Sequence, residues 1–306
     1  MSVLMQSNLS DKKLLKRGKV RDVYVDDSEL LIVATDRISA FDRVMPVGIP
    51  DKGHSLTKLS EYWFLKTKHI FKNHYISRVD DRTLRVKRAE RIDIEWICRA
   101  YLYGSAWRAY SKGAREVSGV KLPSGLQLAE ELPEVVLTPT TKSEEGHDTE
   151  LSKQMAISQG LVDADVWNEL EEATHRLFDY YKREARAKGI IIPDFKLEYG
   201  KLGDELIQID EPPTHDSARF WSVSKYRVGE KQEKHCLDKE FLRDYLIRKG
   251  FSGDGEIPEL PELVIQQITK RCRGAYEVIS GLRTLESLPL LSVDEVLAEL
   301  EGRANQ

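Results

Sequence analysis

Asp194, Lys196, Glu198 and Asp210 have side-chain types and spacing that could do chemistry. Residues 190–211 read as two short alternating runs around Gly200-Lys201-Leu202-Gly203-Asp204, a hairpin signature. Side chains alternate across a strand, so Phe195, Leu197 and Tyr199 share one face and Asp194, Lys196 and Glu198 the other. In the second run Ile207 and Ile209 point one way, Gln208 and Asp210 the other. If the apolar faces coincide, Asp194, Glu198 and Asp210 surround Lys196 on one side of a two-stranded ribbon. Like charges side by side repel. A divalent cation relieves that, and magnesium carried by a nucleotide takes one or two protein carboxylates plus phosphate oxygens. These residues alone leave two readings open: a Mg-ATP site, or a hairpin whose polar face meets solvent.

Cations that could serve such a site lie elsewhere. Lys19 and Arg21 are two apart in a strand-like run and project from one face, directly after Gly18. They suit a triphosphate, or protect an edge strand. Arg99 ends an alternating run in which Ile92, Ile94, Trp96 and Cys98 share a face. Ser105 follows and can cap a helix reaching Lys112, with Gly113 as its stop. A helix N-terminus beside an arginine can cradle phosphate, although capping by itself explains the serine. The prolines of Glu211-Pro212-Pro213-Thr214 predict an extended path away from the sheet that brings Arg219 toward the acidic ribbon.

These residues must be positioned by an ordinary mixture of strands and helices. Residues 15–34 read as a second hairpin. Residues 57–68, 163–188, 238–248, 259–280 and 292–300 have helical spacing, and Thr149 is placed to cap a helix through Gln159. Residues 137–148 form a long polar loop of the kind that carries function. The chain has 306 residues, 41% hydrophobic and 32% charged, enough for a folded core in one or two domains. A net charge of −4 gives no overall pull toward nucleic acid or membrane, so an anion site must be local. The basic stretch 82–91 lacks interleaved aromatics and reads as a strand with a solvated face rather than an RNA platform. Three scattered cysteines, no apolar span and no signal-like start point to a reducing cytoplasm. There is no Walker loop, dinucleotide fingerprint, nucleophile elbow or His-Glu-x-x-His.

Taken in order, Arg17-Gly18-Lys19-Val20-Arg21-Asp22-Val23-Tyr24, Ala34-Thr35-Asp36-Arg37-Ile38-Ser39-Ala40-Phe41-Asp42, Lys58-Leu59-Ser60-Glu61-Tyr62-Trp63-Phe64, Gly104-Ser105-Ala106-Trp107, Asp194-Phe195-Lys196-Leu197-Glu198-Tyr199-Gly200 and Asp216-Ser217-Ala218-Arg219-Phe220-Trp221 resemble the SAICAR synthetase family of purine biosynthesis. The length resembles its roughly 300-residue form, known from fungi and some bacteria. The chain departs from the family pattern at Ala100, where glycine is expected, and at Pro212-Pro213-Thr214-His215, where Val-Leu-Thr-Pro is expected.

The resemblance implies an α+β, two-lobed, ATP-grasp-like or kinase-like fold. Residues 1–88 would form a small antiparallel β lobe that binds ATP, and residues 89–306 a larger α+β lobe with the substrate site. It implies an ATP- and Mg2+-dependent ligase joining CAIR to L-aspartate, with ADP and phosphate released. Glu198 and Asp210 resemble the metal ligands, Lys19 and Arg21 the phosphate contacts, and Val86, Lys87 and Arg88 the adenine hinge. Arg99, Ser105 and Arg219 resemble the ribotide cradle. Lys142 and Asp148 match substrate-loop positions, Asp194 and Lys196 line the cleft with Arg219, and Arg243 is a further substrate-side arginine. A monomer is expected. A kinase of a small phosphorylated metabolite and a non-catalytic binding protein are the alternatives. The first would release ADP without aspartate, and the second would not need the retained acids and cations.

Overall fold

In the computed structural model, which describes residues 3–142 and 149–304, period-two alternation produces two large antiparallel sheets, beside three two-stranded ones. The first is built from β1 (Lys13–Arg17), β2 (Arg21–Asp26), β3 (Glu29–Ala34), β4 (Tyr75–Arg78) and β5 (Thr83–Lys87), in the order β1-β2-β3-β5-β4. Tyr24, Leu31 and Val33 form its own small core, closed by Leu4 and Leu9. The N-terminal segment is pinned there by polar contacts, because Ser7 and Leu4 donate to the buried carboxylates of Asp22 and Asp36.

Helix α1 (Lys52–Thr67) buries Leu59, Trp63 and Phe64 as their spacing predicts, but begins earlier than the apolar pattern does. Its first turn is fixed by polar partners from other segments. Lys52 forms a buried ion pair with Asp216, and the Gly53 N–H donates to Asp36 Oδ1 at 3.0 Å. The helix packs on both β3 and the C-terminal helix α6 described below, joining the small sheet to the rest of the chain.

The second sheet contains β6 (Glu90–Arg91), β7 (Ile94–Tyr101), β8 (Glu131–Leu137), β9 (Thr140–Thr141), β10 (Asp194–Leu202) and β11 (Glu205–Ile209). Their order is β8-β7-β10-β11, with β9 also pairing β7 and β6 also pairing β10. The expected two-stranded ribbon is therefore part of a six-stranded sheet. One face of β7 and β10 carries Trp96, Cys98, Phe195, Leu197 and Tyr199, all buried against α4 (Ala164–Arg186) through Leu177, Phe178 and Tyr181. The Phe178 and Phe195 rings stack at 5.3 Å. The remaining helices are α2 (Gly104–Ser111), α3 (Lys153–Ser158), α5 (Glu240–Arg248), α6 (Glu262–Ile279) and α7 (Val293–Ala304). Ser152, not Thr149, caps α3, its hydroxyl accepting from the Met155 N–H. Thr149 instead donates its N–H to Thr141 Oγ1. All three cysteines are buried and free, and no helix of the described residues is long and apolar enough to cross a membrane.

Gly200 in β10 shows how closely the site strand is held. It pairs Ile207 on one side and Arg91 on the other, and an added Cβ would lie 2.8 Å from the Glu90 carbonyl oxygen. Gly200→Val is expected to cost about 1–3 kcal/mol through this overlap, read as a lower urea midpoint. An unchanged midpoint would mean that β6 moves aside freely.

Candidate active site

Cross-strand partners project to the same side of a sheet. The register pairs Asp194 with Arg99 and Lys196 with Ile97, so one face carries Asp194, Lys196 and Glu198 from β10 with Glu95 and Arg99 from β7. The second run of the hairpin behaves differently from the alternation match. A two-residue turn, Gly203-Asp204, sets Leu202 opposite Glu205, hence Tyr199 opposite Gln208 and Glu198 opposite Ile209. Turn geometry fixes hairpin register, and here it lies one residue away from the register that would align the apolar faces. Ile207 and Ile209 therefore fall on the charged side, and Gln208 is buried on the Tyr199 side. Asp210 still reaches the charged side, because β11 stops at Ile209 and Asp210 adopts φ +64°, which breaks the alternation.

The acids of this face are matched by three cations. Lys196 Nζ lies 2.6 Å from Glu95 Oε1 and 3.0 Å from Glu198 Oε1. Lys142 pairs with Glu198 and stands 3.6 Å from Glu95. Arg21 crosses from the small sheet to Asp210 at 3.0 Å and Glu211 at 2.9 Å. Burial works against the charge on Lys196, but Glu198, Glu95 and Asp210 outweigh it and raise its pKa. Burial likewise opposes ionisation of Asp210, yet Arg21, Lys196 and Lys142 hold its carboxyl well below the usual range. Among the described residues no three acids, histidines or cysteines form a metal cage. Glu198 and Asp210, flanking one lysine, are the small carboxylate set that suits magnesium arriving on phosphates.

At the other end of β10 lies a cluster of arginines. Arg219 donates from Nη1 to both oxygens of Asp194 at 2.8 Å, and from Nε to Glu240 at 3.2 Å. Arg99 bonds Ser105 Oγ at 3.0 Å and Thr138 Oγ1 at 2.8 Å, and is 3.7 Å from Asp194. Arg243 bonds Glu240 at 3.0 Å. Arg108, three residues beyond Ser105 on α2, joins them electrostatically. Burial, then Arg219 and Arg243, pushes its pKa down. The pKa of Arg99 is lowered by burial and by Arg219 and Arg108, against the pull of Asp194. Arg219, in the same cluster, is pushed the other way against burial by Asp194 and Glu240, so the buried guanidiniums share two carboxylates unequally. Ser105 does not cap α2; the helix starts at Gly104 with φ +61°, and the hydroxyl faces Arg99. A Cβ on Gly104 would lie 2.6 Å from Arg219 Nη2, so glycine admits the guanidinium.

The proline segment does not run away from the sheet. It turns through Thr214 and Ser217 and returns beside the first half of β10, where Ala218 bridges Phe195 and the Arg219 N–H meets the Asp194 carbonyl. This return delivers Arg219, and Ala100 sits in β7 without disturbing it.

The remaining expected residues separate. Lys19 does not join Arg21; it pairs with Asp42 near the surface. Val86 is buried between β3 and β4, and the Lys87 N–H is already given to the His74 carbonyl at 2.7 Å. Arg88 lies just past the end of β5. Lys142 sits on Glu198 rather than apart from it. Asp148 lies outside the described residues. Sequence reasoning missed Glu95, Arg108, Glu211 and Glu240. Glu95 has the same strand parity as Arg99, and Arg108 the same helical face as Ser105, so both had a signal.

Behind the arginines, Asp238 accepts from the Phe220 and Glu240 N–H groups at 2.7 Å, and burial and then Glu240 push its pKa up to about 6. An unfolded Asp loses its proton near about 4. Between those values the folded state binds more protons, so this group's stability contribution falls as pH rises through the window and is level above it. The parent is expected to lose about 2 kcal/mol relative to Asp238→Asn between about pH 4 and about pH 6.5, measured by urea unfolding. Parallel profiles would contradict the raised value.

A family model described as SAICAR synthetase matches residues 14–258. The phosphoribosylaminoimidazole-succinocarboxamide synthase of Thermodesulfovibrio yellowstonii is 39% identical over 295 residues, covering 92% of this chain and 99% of that protein. The SAICAR synthase of Saccharomyces cerevisiae, solved with SAICAR, superposes with a TM-score of 0.81 at 37% identity, covering 91% of this chain and 98% of the other. A type-2 SAICAR synthetase solved with ADP gives a TM-score of 0.66 at 25% identity, covering 87% and 97%. With that coverage and that identity, the chain belongs to the SAICAR synthetase family.

Proposed function

We propose that the two charged ends of β10 form one active site, with the metal-nucleotide at the acidic end and the ribotide phosphate at the arginine end. The reaction is that of the family: CAIR and L-aspartate are joined to SAICAR, with ATP converted to ADP and phosphate, in purine biosynthesis. The observation that carries the site assignment is the placement of opposite poles on one strand. Asp194, among the arginines, and Glu198, among the lysines, are four residues apart, a span of about 13 Å. That leaves room for a ribose and an imidazole between a phosphate and a carboxylate.

A carboxylate is a poor acylating agent, so its activation by phosphoryl transfer precedes amide formation. One carboxylate oxygen bonds to the γ-phosphorus as the bond to ADP breaks. The aspartate amine then attacks the acyl carbon, phosphate leaves, and the amine gives up a proton. Phosphoryl transfer depends on positioning and charge neutralisation. In this proposal Arg99, Ser105, Arg108, Arg219 and Arg243 hold the ribotide, arginine suiting phosphate and carboxylate by its bidentate fork. Lys196 and Lys142 neutralise the carboxylate being activated, and Asp194 orients Arg219. Arg21 and Lys19 serve the nucleotide phosphates, and the backbone at Arg88 serves the base. Glu198 and Asp210 would hold magnesium, which when bound screens the phosphate charge. Residues 1–88 form the nucleotide lobe and residues 89–306 the substrate lobe. A monomer in the cytoplasm completes the proposal; free, buried cysteines fit a reducing compartment, and size-exclusion chromatography checks the monomer.

ADP release measured with ATP, CAIR and aspartate, omitting each in turn, should require all three above a slow background. Release without aspartate would favour a kinase. Glu198→Gln and Asp210→Asn should abolish turnover while the circular dichroism spectrum is kept; near-normal rates would remove the metal assignment. Arg99→Ala should raise the KM for CAIR roughly tenfold or more, and that for ATP far less. Equal effects would contradict the phosphate cradle.

A further inference from the structure

Arg37 is a buried arginine that touches neither charged end of β10, and its bonds converge on one short turn. Its Nη2 donates to the Gly18 carbonyl at 2.9 Å and its Nε to the Lys19 carbonyl at 3.1 Å. It is itself fixed from behind. Nη2 also reaches Asp22 Oδ1 at 2.7 Å, and Nη1 donates to the Met5 carbonyl. Asp22 is fully buried and accepts from the Ser7 N–H and hydroxyl and from Arg17. The guanidinium is thus locked in one orientation by the N-terminal segment and β2.

The consequence follows from peptide geometry. In a trans peptide the carbonyl and the following N–H point in opposite directions. Drawing the Gly18 and Lys19 carbonyls inward turns the N–H groups of Lys19 and Val20 outward. No described residue accepts from either N–H. Successive outward N–H groups form an anion-binding nest, here directly before Arg21 in the chain. The Val20 carbonyl is held separately, accepting from Thr35 N–H at 3.0 Å and Thr35 Oγ1 at 2.7 Å.

We propose that Arg37 is a positioning residue for the nucleotide: by holding two carbonyls it sets the Lys19 and Val20 N–H groups as a nest for a nucleotide's terminal phosphates. This rests on the nucleotide reading above. Lysine at position 37 would keep a cation beside Asp22 but, lacking the planar fork, cannot hold both carbonyls.

The test pairs kinetics with amide exchange. Arg37→Lys should raise the KM for ATP about tenfold while the KM values for CAIR and aspartate stay within about twofold. A role confined to folding would lower the thermal midpoint and the active fraction with all KM values unchanged, and that result would overturn the proposal. Hydrogen exchange on the unaltered protein keeps the test valid if the variant fails to fold. Mg-ADP should slow exchange at Lys19 and Val20. Slowing at Arg88 and Ala89 without slowing at Lys19 and Val20 would overturn the nest and leave the nucleotide reading intact. No slowing at any of them would overturn both.

Discussion

Charge compensation on a half-buried sheet face is the constraint on which the rest of this structure depends. Glu95, Glu198 and Asp210 cannot share that face without cations, since like charges in a poorly solvated place repel strongly. The chain supplies Lys142, Lys196 and Arg21 from three different segments. The opposite problem is solved at the other end of the strand, where Asp194 and Glu240 divide themselves among clustered guanidiniums. Removing one partner from such a pair costs more than the pair contributes net, because a buried charge is left unmatched. The face is therefore held together by its own pairings, and a ligand must offer equivalent charges to enter.

That requirement matches what a metal-nucleotide and a ribotide bring. On the proposed assignment, a divalent cation would take over the role that Arg21, Lys142 and Lys196 play toward Asp210 and Glu198. The released cations would then meet the anionic groups of the nucleotide and of the carboxylate being activated. Arg21 is well placed for that exchange, since it extends from the small sheet to the large one and bonds Asp210 and Glu211 together. The return of the chain beside β10 performs the matching service for Arg219.

Much of this was legible in the sequence because it rests on local patterns. The core face of β10, the apolar stripe of α4 and the parity of Arg99 all follow from period-two or period-3.6 spacing. The register of β10 against β11 was not, because a tight turn overrode the match of apolar faces. Asp210 was expected on the correct side for the wrong reason: its left-handed backbone, not alternation, puts it there. Glu95 shares the parity of Arg99 in an alternating run and was overlooked, whereas the early start of α1 depends on Asp36 and Asp216, which are distant in sequence. Lys19 and Arg21 share a parity but not a destination, because Lys19 precedes the strand in which alternation holds.

The most direct measurement is a crystal structure of this chain with Mg-ADP and CAIR. The account predicts the nucleotide phosphates and metal beside Glu198 and Asp210, and the ribotide phosphate among Arg99, Ser105 and Arg219, with the imidazole lying along β10 between them. A ribotide phosphate bound away from those arginines, or a metal that touches neither carboxylate, would contradict it.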